Sequence, residues 1–161
     1  EIGELCVKGP QIMQGYWRHP EETAAAMDDR GFLATGDMVK MDEKGFIKLV
    51  DRKKDMILVS GFNVYPSEVE AVLAQHPAVL EVACIGVPCD GSGERVKACI
   101  VVRPGEKPTV EALQKFASAN LTGYKRPKAY EFFDSLPKSN VGKILKRELL
   151  AREKAKAGGK A

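Results

Sequence analysis

No CxxC pair occurs in this sequence. Its four cysteines (Cys6, Cys84, Cys89 and Cys99) and two histidines (His19 and His76) are scattered along the chain, so a zinc site is not expected. No apolar run comes near the roughly 20 residues that a membrane-spanning helix needs. The longest, around 83–87 and 98–102, have the length of strands. There is no internal repeat and no GxxxxGK[ST] phosphate loop. No signal peptide opens the chain, which starts on Glu1 rather than Met, as though it continued from something longer.

What is present is an ordinary globular composition: 161 residues, 44% hydrophobic and 29% charged. That suits one domain, or one domain and a piece of another, and excludes disorder over the whole length. The net charge of +3 is unevenly spread. From Lys138 to Ala161 eight basic residues face only Glu148 and Glu153, a local balance of +6. Such an end fits a phosphate-bearing ligand, a nucleic acid or a membrane surface, and equally a solvated helix and tail. It lacks the aromatic interleaving of single-strand binders, so nucleic acid is not expected as a partner. Cys6, Cys84 and Cys99 lie in apolar, strand-like runs, where a free thiol acts as a small hydrophobe in a reducing, cytoplasmic setting.

Residues 1–50 read as short strands and turns. Strands are predicted at Leu5–Val7, Gly31–Leu33, Met38–Met41 and Phe46–Val50, with a helix over Pro20–Met27 and a hairpin loop at 42–45. Asp51-Arg52-Lys53-Lys54-Asp55 is an unbroken charged run between apolar stretches. It is expected to be exposed and to mark a domain boundary. Beyond it a strand is expected at Met56–Val59, then a turn punctuated by Gly61 and Asn63. Ser67-Glu68-Val69-Glu70 has capping-box spacing, and Val69, Val72, Leu73 and His76 form one face of a helix that His76-Pro77 ends. Strands follow at Val79–Val87 and Val96–Val102. A helix over Thr109–Leu121 buries Val110, Leu113, Phe116, Ala117 and Leu121. A short strand at Glu131–Phe133 and a helix over Ile144–Lys154 complete the pattern, with the last residues frayed. The order β, α, β, β, α, β, α describes a small α+β sandwich.

Three short segments could carry chemistry. Thr35-Gly36-Asp37 sets a carboxylate beside a glycine at a strand end, suited to a ribose diol. In Ser60-Gly61-Phe62-Asn63 a glycine lets a ligand approach the backbone. Gly142-Lys143, after Ser139-Asn140, puts an ammonium on a flexible loop where it can reach an anionic oxygen. Each is unremarkable alone, since aspartates and glycines are common in turns.

In this order and spacing the three resemble the C-terminal third of the adenylate-forming enzymes, the superfamily of acyl-CoA synthetases, peptide-synthetase adenylation domains and firefly luciferase. The resemblance runs from Gly3 to about Arg152. It is carried by GELCVKGP at 3–10, GYW at 15–17, GFLATGD at 31–37, DRKKDMILVSGFNVYPSEVE at 51–70, LTGYKRPK at 121–128 and LPKSNVGKILKREL at 136–149. The wording VSGFNVYPSEVE with LPKSNVGKIL is most similar to bacterial long-chain fatty-acid–CoA ligases. Leu58 stands where luciferases and coumarate-type ligases tend to have lysine.

The resemblance implies a fold, a reaction and roles. The fold would be α+β: residues 1–53 as the β-rich end of a large AMP-binding domain, and residues 54–161 as a mobile lid built of a β-hairpin and a three-stranded sheet flanked by helices, its tail 155–161 frayed. The reaction would join a fatty acid to CoA through an acyl-adenylate, with ATP, Mg2+ and CoA as the cofactors of the full-length enzyme. Asp37 would bind the ribose hydroxyls, and Arg52 would lie near ribose and phosphates. Asn63 would contact the nucleotide or CoA. Lys54 would be the hinge. Ser60, Gly61 and Phe62 would face the CoA pantetheine, and Lys143 would be the catalytic lysine of adenylation. The chain's own N-terminal domain would be its partner, and the isolated chain would have no turnover. Peripheral contact with the inner face of a membrane, and pairing of copies through unpaired strand edges, are compatible with the same reading. A ligase for a medium-chain or aryl acid, a fatty-acyl-AMP ligase and a binding-only module remain the alternatives.

Overall fold

The computed structural model describes residues 1–91 and 93–158. The chain divides into two compact units, Glu1–Lys54 and Asp55–Ala161.

The first unit is a three-stranded antiparallel sheet, ordered β1-β2-β3, with one short helix. Its elements are β1 (Ile2–Val7), α1 (Pro20–Ala26), β2 (Leu33–Met41) and β3 (Ile47–Arg52). Helix α1 starts on Pro20, whose missing N–H costs nothing at a helix start. The loop between β2 and β3 closes on Asp42, whose carboxylate accepts from the amides of Lys44 and Phe46, both at 2.9 Å. Little of this sheet is covered: Met38, Val39 and Asp51 are buried, while Phe46, Leu49 and Met41 are exposed. Two expectations change here. Asp51 is buried rather than exposed: it lies inside β3, paired with the buried Met38 beside a register shift in the β2–β3 ladder, and its Oδ1 accepts from the Arg52 amide at 2.8 Å. Cys6 is exposed rather than packed, because β1 is an edge strand with one uncovered face.

The second unit is a five-stranded sheet between two helical layers. Its elements are β4 (Ile57–Val59), β5 (Phe62–Val64), α2 (Pro66–Leu73), β6 (Val79–Cys89), β7 (Gly93–Val102), α3 (Val110–Asn120), β8 (Ala129–Phe133) and α4 (Lys146–Gly158). The strands run β5-β4-β7-β6, and β8 adds to β7 in parallel. The predicted hairpin (β4–β5) and three-stranded sheet (β6, β7 and β8) are both present, and they are joined into one sheet where Val59 pairs with Gly93.

Period-2 alternation divides the core. Val82, Cys84, Ala98 and Ile100 point to one face and pack with Val69 and Leu73 of α2 and Leu113 and Ala117 of α3. Ala83, Ile85, Cys99 and Val101 point to the other and pack with Leu136 and with Leu149 of α4. Helix α3 is fixed at both ends. The Thr109 hydroxyl accepts from the Ala112 amide, and the Arg126 guanidinium donates to the carbonyls of Leu121 and Ser118.

Three boundaries differ from expectation. The turn after β4 is Ser60-Gly61, so Asn63 lies in strand β5 rather than in the turn. Helix α2 starts on Pro66 behind Tyr65, with no side-chain cap bond, so the Ser67–Glu70 spacing does not close as a capping box. It also ends at Leu73, before His76, whose ring stands edge-on to Phe116. Helix α4 runs Lys146–Gly158 rather than 144–154, and 159–161 lie outside the described residues.

Candidate functional site

In the first unit β2 and β3 bring two of the predicted site residues together. Asp37 and Arg52 are opposed in register across the strand pair. The Arg52 Nε donates to Asp37 Oδ1 at 2.9 Å. The segment Thr35-Gly36-Asp37 lies inside β2 rather than at a strand end. It carries positive φ (74°) at Gly36, and the Asp37 amide donates to the Thr35 hydroxyl at 3.2 Å. A glycine is required at such a φ. It leaves the carboxylate beside an open cleft of about 340 Å³ lined by Gly36, Arg52, Lys53 and Lys54. Lys53 is drawn to Glu4, with Nζ 2.6 Å from Oε2, and that bond and the carboxylate's charge raise its pKa above the usual lysine value. Lys54 is exposed within the one-turn 3₁₀ segment Lys53–Asp55.

In the second unit Ser60, Gly61, Phe62 and Asn63 form one tight β-hairpin. Val59 and Phe62 are paired, so the loop holds only Ser60 and Gly61. Both have positive φ, 50° and 83°, as a two-residue turn matched to strand twist demands. The Phe62 ring stacks on Tyr124, with centroids 4.6 Å apart and planes 18° from parallel. The Lys125 ammonium sits 5.9 Å from the Tyr124 centroid and pairs with Glu68 at 2.7 Å. The turn thus offers two backbone amides and a flat aromatic step.

Lys143 occupies a different loop of the same unit. Residues 137–145 close as a small hairpin: Lys138 bridges Ile144, and the Leu145 amide donates to the Pro137 carbonyl at 2.8 Å. Inside it, the Ser139 amide donates to the Lys143 carbonyl, and the Lys143 amide to the Ser139 hydroxyl at 3.2 Å. Gly142 at φ 80° makes the reversal. Lys143 is exposed at the end of this turn, and no ion pair holds its ammonium among the described residues. A lysine on a rigid hairpin with a free ammonium is equipped to meet an incoming anionic oxygen.

Sequence reasoning missed Tyr124 as the partner of Phe62. It also missed the two glutamates that hold the Lys143 hairpin, described below. The GYKRPK wording at 123–128 was the signal for the first. No local pattern marks the second, because the partners are far apart in the chain.

Residues 68–143 match the family described as the AMP-binding enzyme C-terminal domain. Over 159 residues, 99% of this chain, the sequence is 58% identical to a long-chain-fatty-acid–CoA ligase of Escherichia coli O6:H1. It is 57% identical over its full length to the ligase of that name in Salmonella typhimurium. The chain spans 28% of the length of both relatives. Among solved structures, the ATP-bound MatB of Rhodopseudomonas palustris superposes with a TM-score of 0.89 at 38% identity, over 95% of this chain and 31% of that one.

Proposed function

We propose, on the premise that residues 68–143 carry the C-terminal domain of AMP-binding enzymes, that this chain serves as the C-terminal segment of an ATP-dependent long-chain fatty acid:CoA ligase. Residues 1–53 would then be the end of a large AMP-binding domain and 54–161 a mobile lid turning about Lys54. The observation that carries the reading is the conjunction of the free Lys143 on its hairpin with a sequence 58% identical to a ligase of that specificity.

In the first half-reaction a fatty-acid carboxylate oxygen attacks the α-phosphorus of ATP, forming the acyl–phosphate bond and releasing pyrophosphate. Negative charge builds on the phosphoryl and carboxylate oxygens, and Lys143 would offset it. Asp37 would accept from the ribose hydroxyls, and Arg52 would hold the Asp37 carboxylate in place while presenting its remaining N–H groups to nearby oxygens. In the second half-reaction the CoA thiol attacks the acyl carbon and AMP leaves. The Ser60–Gly61 turn and Phe62 would border the pantetheine chain, with Asn63 reaching the nucleotide or CoA. Lid rotation separates the two steps.

Among the described residues no group of three or more His, Cys, Asp or Glu side chains could hold a metal ion. The Mg2+ of this reading would accompany the ATP phosphates. No described helix is long and apolar enough to cross a membrane. The proposed setting is the cytoplasm, where Cys84 and Cys99 persist as buried free thiols.

The test is Lys143→Ala in the full-length enzyme. Acyl-AMP formation should fall by about 100-fold or more, while thioester formation from supplied acyl-AMP stays near the parent rate. Undiminished adenylation would refute the assignment, and an acid panel with CoA and carrier-protein acceptors would separate the long-chain CoA ligase from its alternatives.

A further inference from the structure

The hairpin that presents Lys143 is bracketed by two ion pairs, one at each end. At its entry the Lys138 ammonium lies 2.5 Å from Glu81 Oε1 on β6. At its exit the Lys146 ammonium lies 2.8 Å from Glu70 Oε1 on α2. Glu70 is itself fixed, because the same oxygen accepts from the Cys84 amide of β6 at 2.7 Å. Lys146 and Glu70 are mostly buried, at 18% and 21% side-chain exposure. Underneath, Ile144 packs on the second core cluster. The hairpin otherwise stands over an open cleft of about 470 Å³ whose lining includes Glu70, Glu81, Lys138 and Gly142. Internal hydrogen bonds fix the shape of the loop, but its tilt over that cleft is set by Ile144 and the two ion pairs.

We propose that Glu70 and Glu81 are positioning residues for adenylation: by pairing with Lys146 and Lys138 they set the direction in which the 137–145 hairpin delivers Lys143. The proposal rests on the function assigned above. Its physical basis is the steep cost of misplacing a reacting group, since a shift on the order of 1 Å can cost about 100-fold in rate. Two braces on opposite ends resist both tilt and twist, whereas one would leave a pivot.

The experiment uses the full-length enzyme and four variants: Glu81→Gln, Glu70→Gln, Lys138→Met and the exchanged pair Glu81→Lys with Lys138→Glu. Adenylation is followed by ATP–pyrophosphate exchange, and thioester formation separately from supplied acyl-AMP. Each single variant should lose about 10- to 100-fold in the kcat of adenylation with little change in KM for ATP. Thioester formation should be unchanged, and the exchanged pair should recover most of the loss. Parent-like adenylation in the single variants would overturn the proposal. So would an equal fall in both half-reactions, which is what general destabilisation of the lid produces. Lys143→Ala in the same panel separates the two levels. If it abolishes adenylation while the glutamate variants keep parent-like adenylation, only the bracing role fails; if it leaves adenylation intact, the assigned function fails and the bracing role with it.

Discussion

Asp37 and Arg52 face each other across β2 and β3 in register, and the Arg52 Nε donates to Asp37 Oδ1 at 2.9 Å. Arg52 is half exposed, with 51% of its side chain open to water. An ion pair so placed adds at most about 1 kcal/mol to stability, and its value lies in orientation. Asp37→Asn and Arg52→Ala are therefore expected to shift the urea midpoint of the full-length enzyme only slightly. KM for ATP should rise about tenfold, the loss of roughly one charge-assisted hydrogen bond to the nucleotide. Steady-state kinetics beside unfolding curves checks this; a large stability loss with unchanged KM would make the pair structural.

The β4–β5 turn stores backbone strain at Ser60. A serine at φ 50° sits in the left-handed region, where a Cβ is disfavoured by about 1 kcal/mol, and Gly61 at 83° leaves the neighbouring position free of that cost. Ser60→Asn is expected to be neutral or slightly stabilising, because asparagine accepts this conformation more readily. Gly61→Ala should destabilise by about 1 kcal/mol and slow thioester formation from supplied acyl-AMP, leaving adenylation near the parent rate. Single-turnover measurement of the two half-reactions decides it. Equal loss in both would detach the turn from the CoA step.

Lys97 ties β7 to both β8 and α4. Its ammonium lies 2.5 Å from Glu131 and 2.8 Å from Glu153, and Lys156 bridges the same two carboxylates at 2.7 and 3.0 Å. Burial pushes the Lys97 pKa down, but the two carboxylates more than reverse this and the net direction is up. Burial likewise pushes Glu131 and Glu153 up, and the bonds from Lys97 and Lys156 bring both below the usual glutamate value. The stability supplied by the glutamates is thus present above pH about 4.5 and lost as pH falls through their depressed folded values. The lysine contribution is complete below pH about 10.5 and lost as pH rises through the raised values. Stability should be flat between about pH 5 and 10 as far as this network decides it. Glu131→Gln should cost on the order of 1 kcal/mol at pH 7, discounted for water at the carboxylate, and flatten the acid limb. Urea unfolding at pH 3, 4, 5 and 7 tests it; an acid limb as steep in the variant as in the parent would contradict it.

Much of the fold was legible because it rests on local rules. Thr109 caps α3, Asp42 closes the β2–β3 loop, and alternation in Val79–Val102 marks a strand pair with both faces buried. Strand β5 was not legible, because Gly61 and Asn63 read as turn residues and three paired residues are too few to show a period. The capping box failed for a similar reason: Pro66 already supplies the helix start, leaving Ser67 inside the first turn. Of the candidate site, the residue types were readable from the motif wording. The Asp37–Arg52 bond, the Phe62–Tyr124 stack and the Glu81–Lys138 pair were not, since each depends on tertiary register between distant segments.

Gly86 shows how a tight contact can be cheap globally and costly locally. A Cβ built on it would lie 2.7 Å from Glu94 Oε1, and the other oxygen of that carboxylate accepts from the Leu58 amide of β4 at 2.9 Å. The obstacle is the far end of a flexible side chain, so Gly86→Ala is accommodated by moving the carboxylate rather than the backbone. Moving it breaks the bond to Leu58, worth about 1 kcal/mol. Replacing a glycine inside a strand returns about 0.5–1 kcal/mol of chain entropy. The two nearly cancel, so the urea midpoint should barely move. The Leu58 amide, however, should lose hydrogen-exchange protection by about tenfold relative to amides within β7, as one lost hydrogen bond between β4 and β7 implies. Unchanged protection at Leu58, or a loss spread evenly through β6 and β7, would show that Glu94 does not anchor the β4–β5 hairpin.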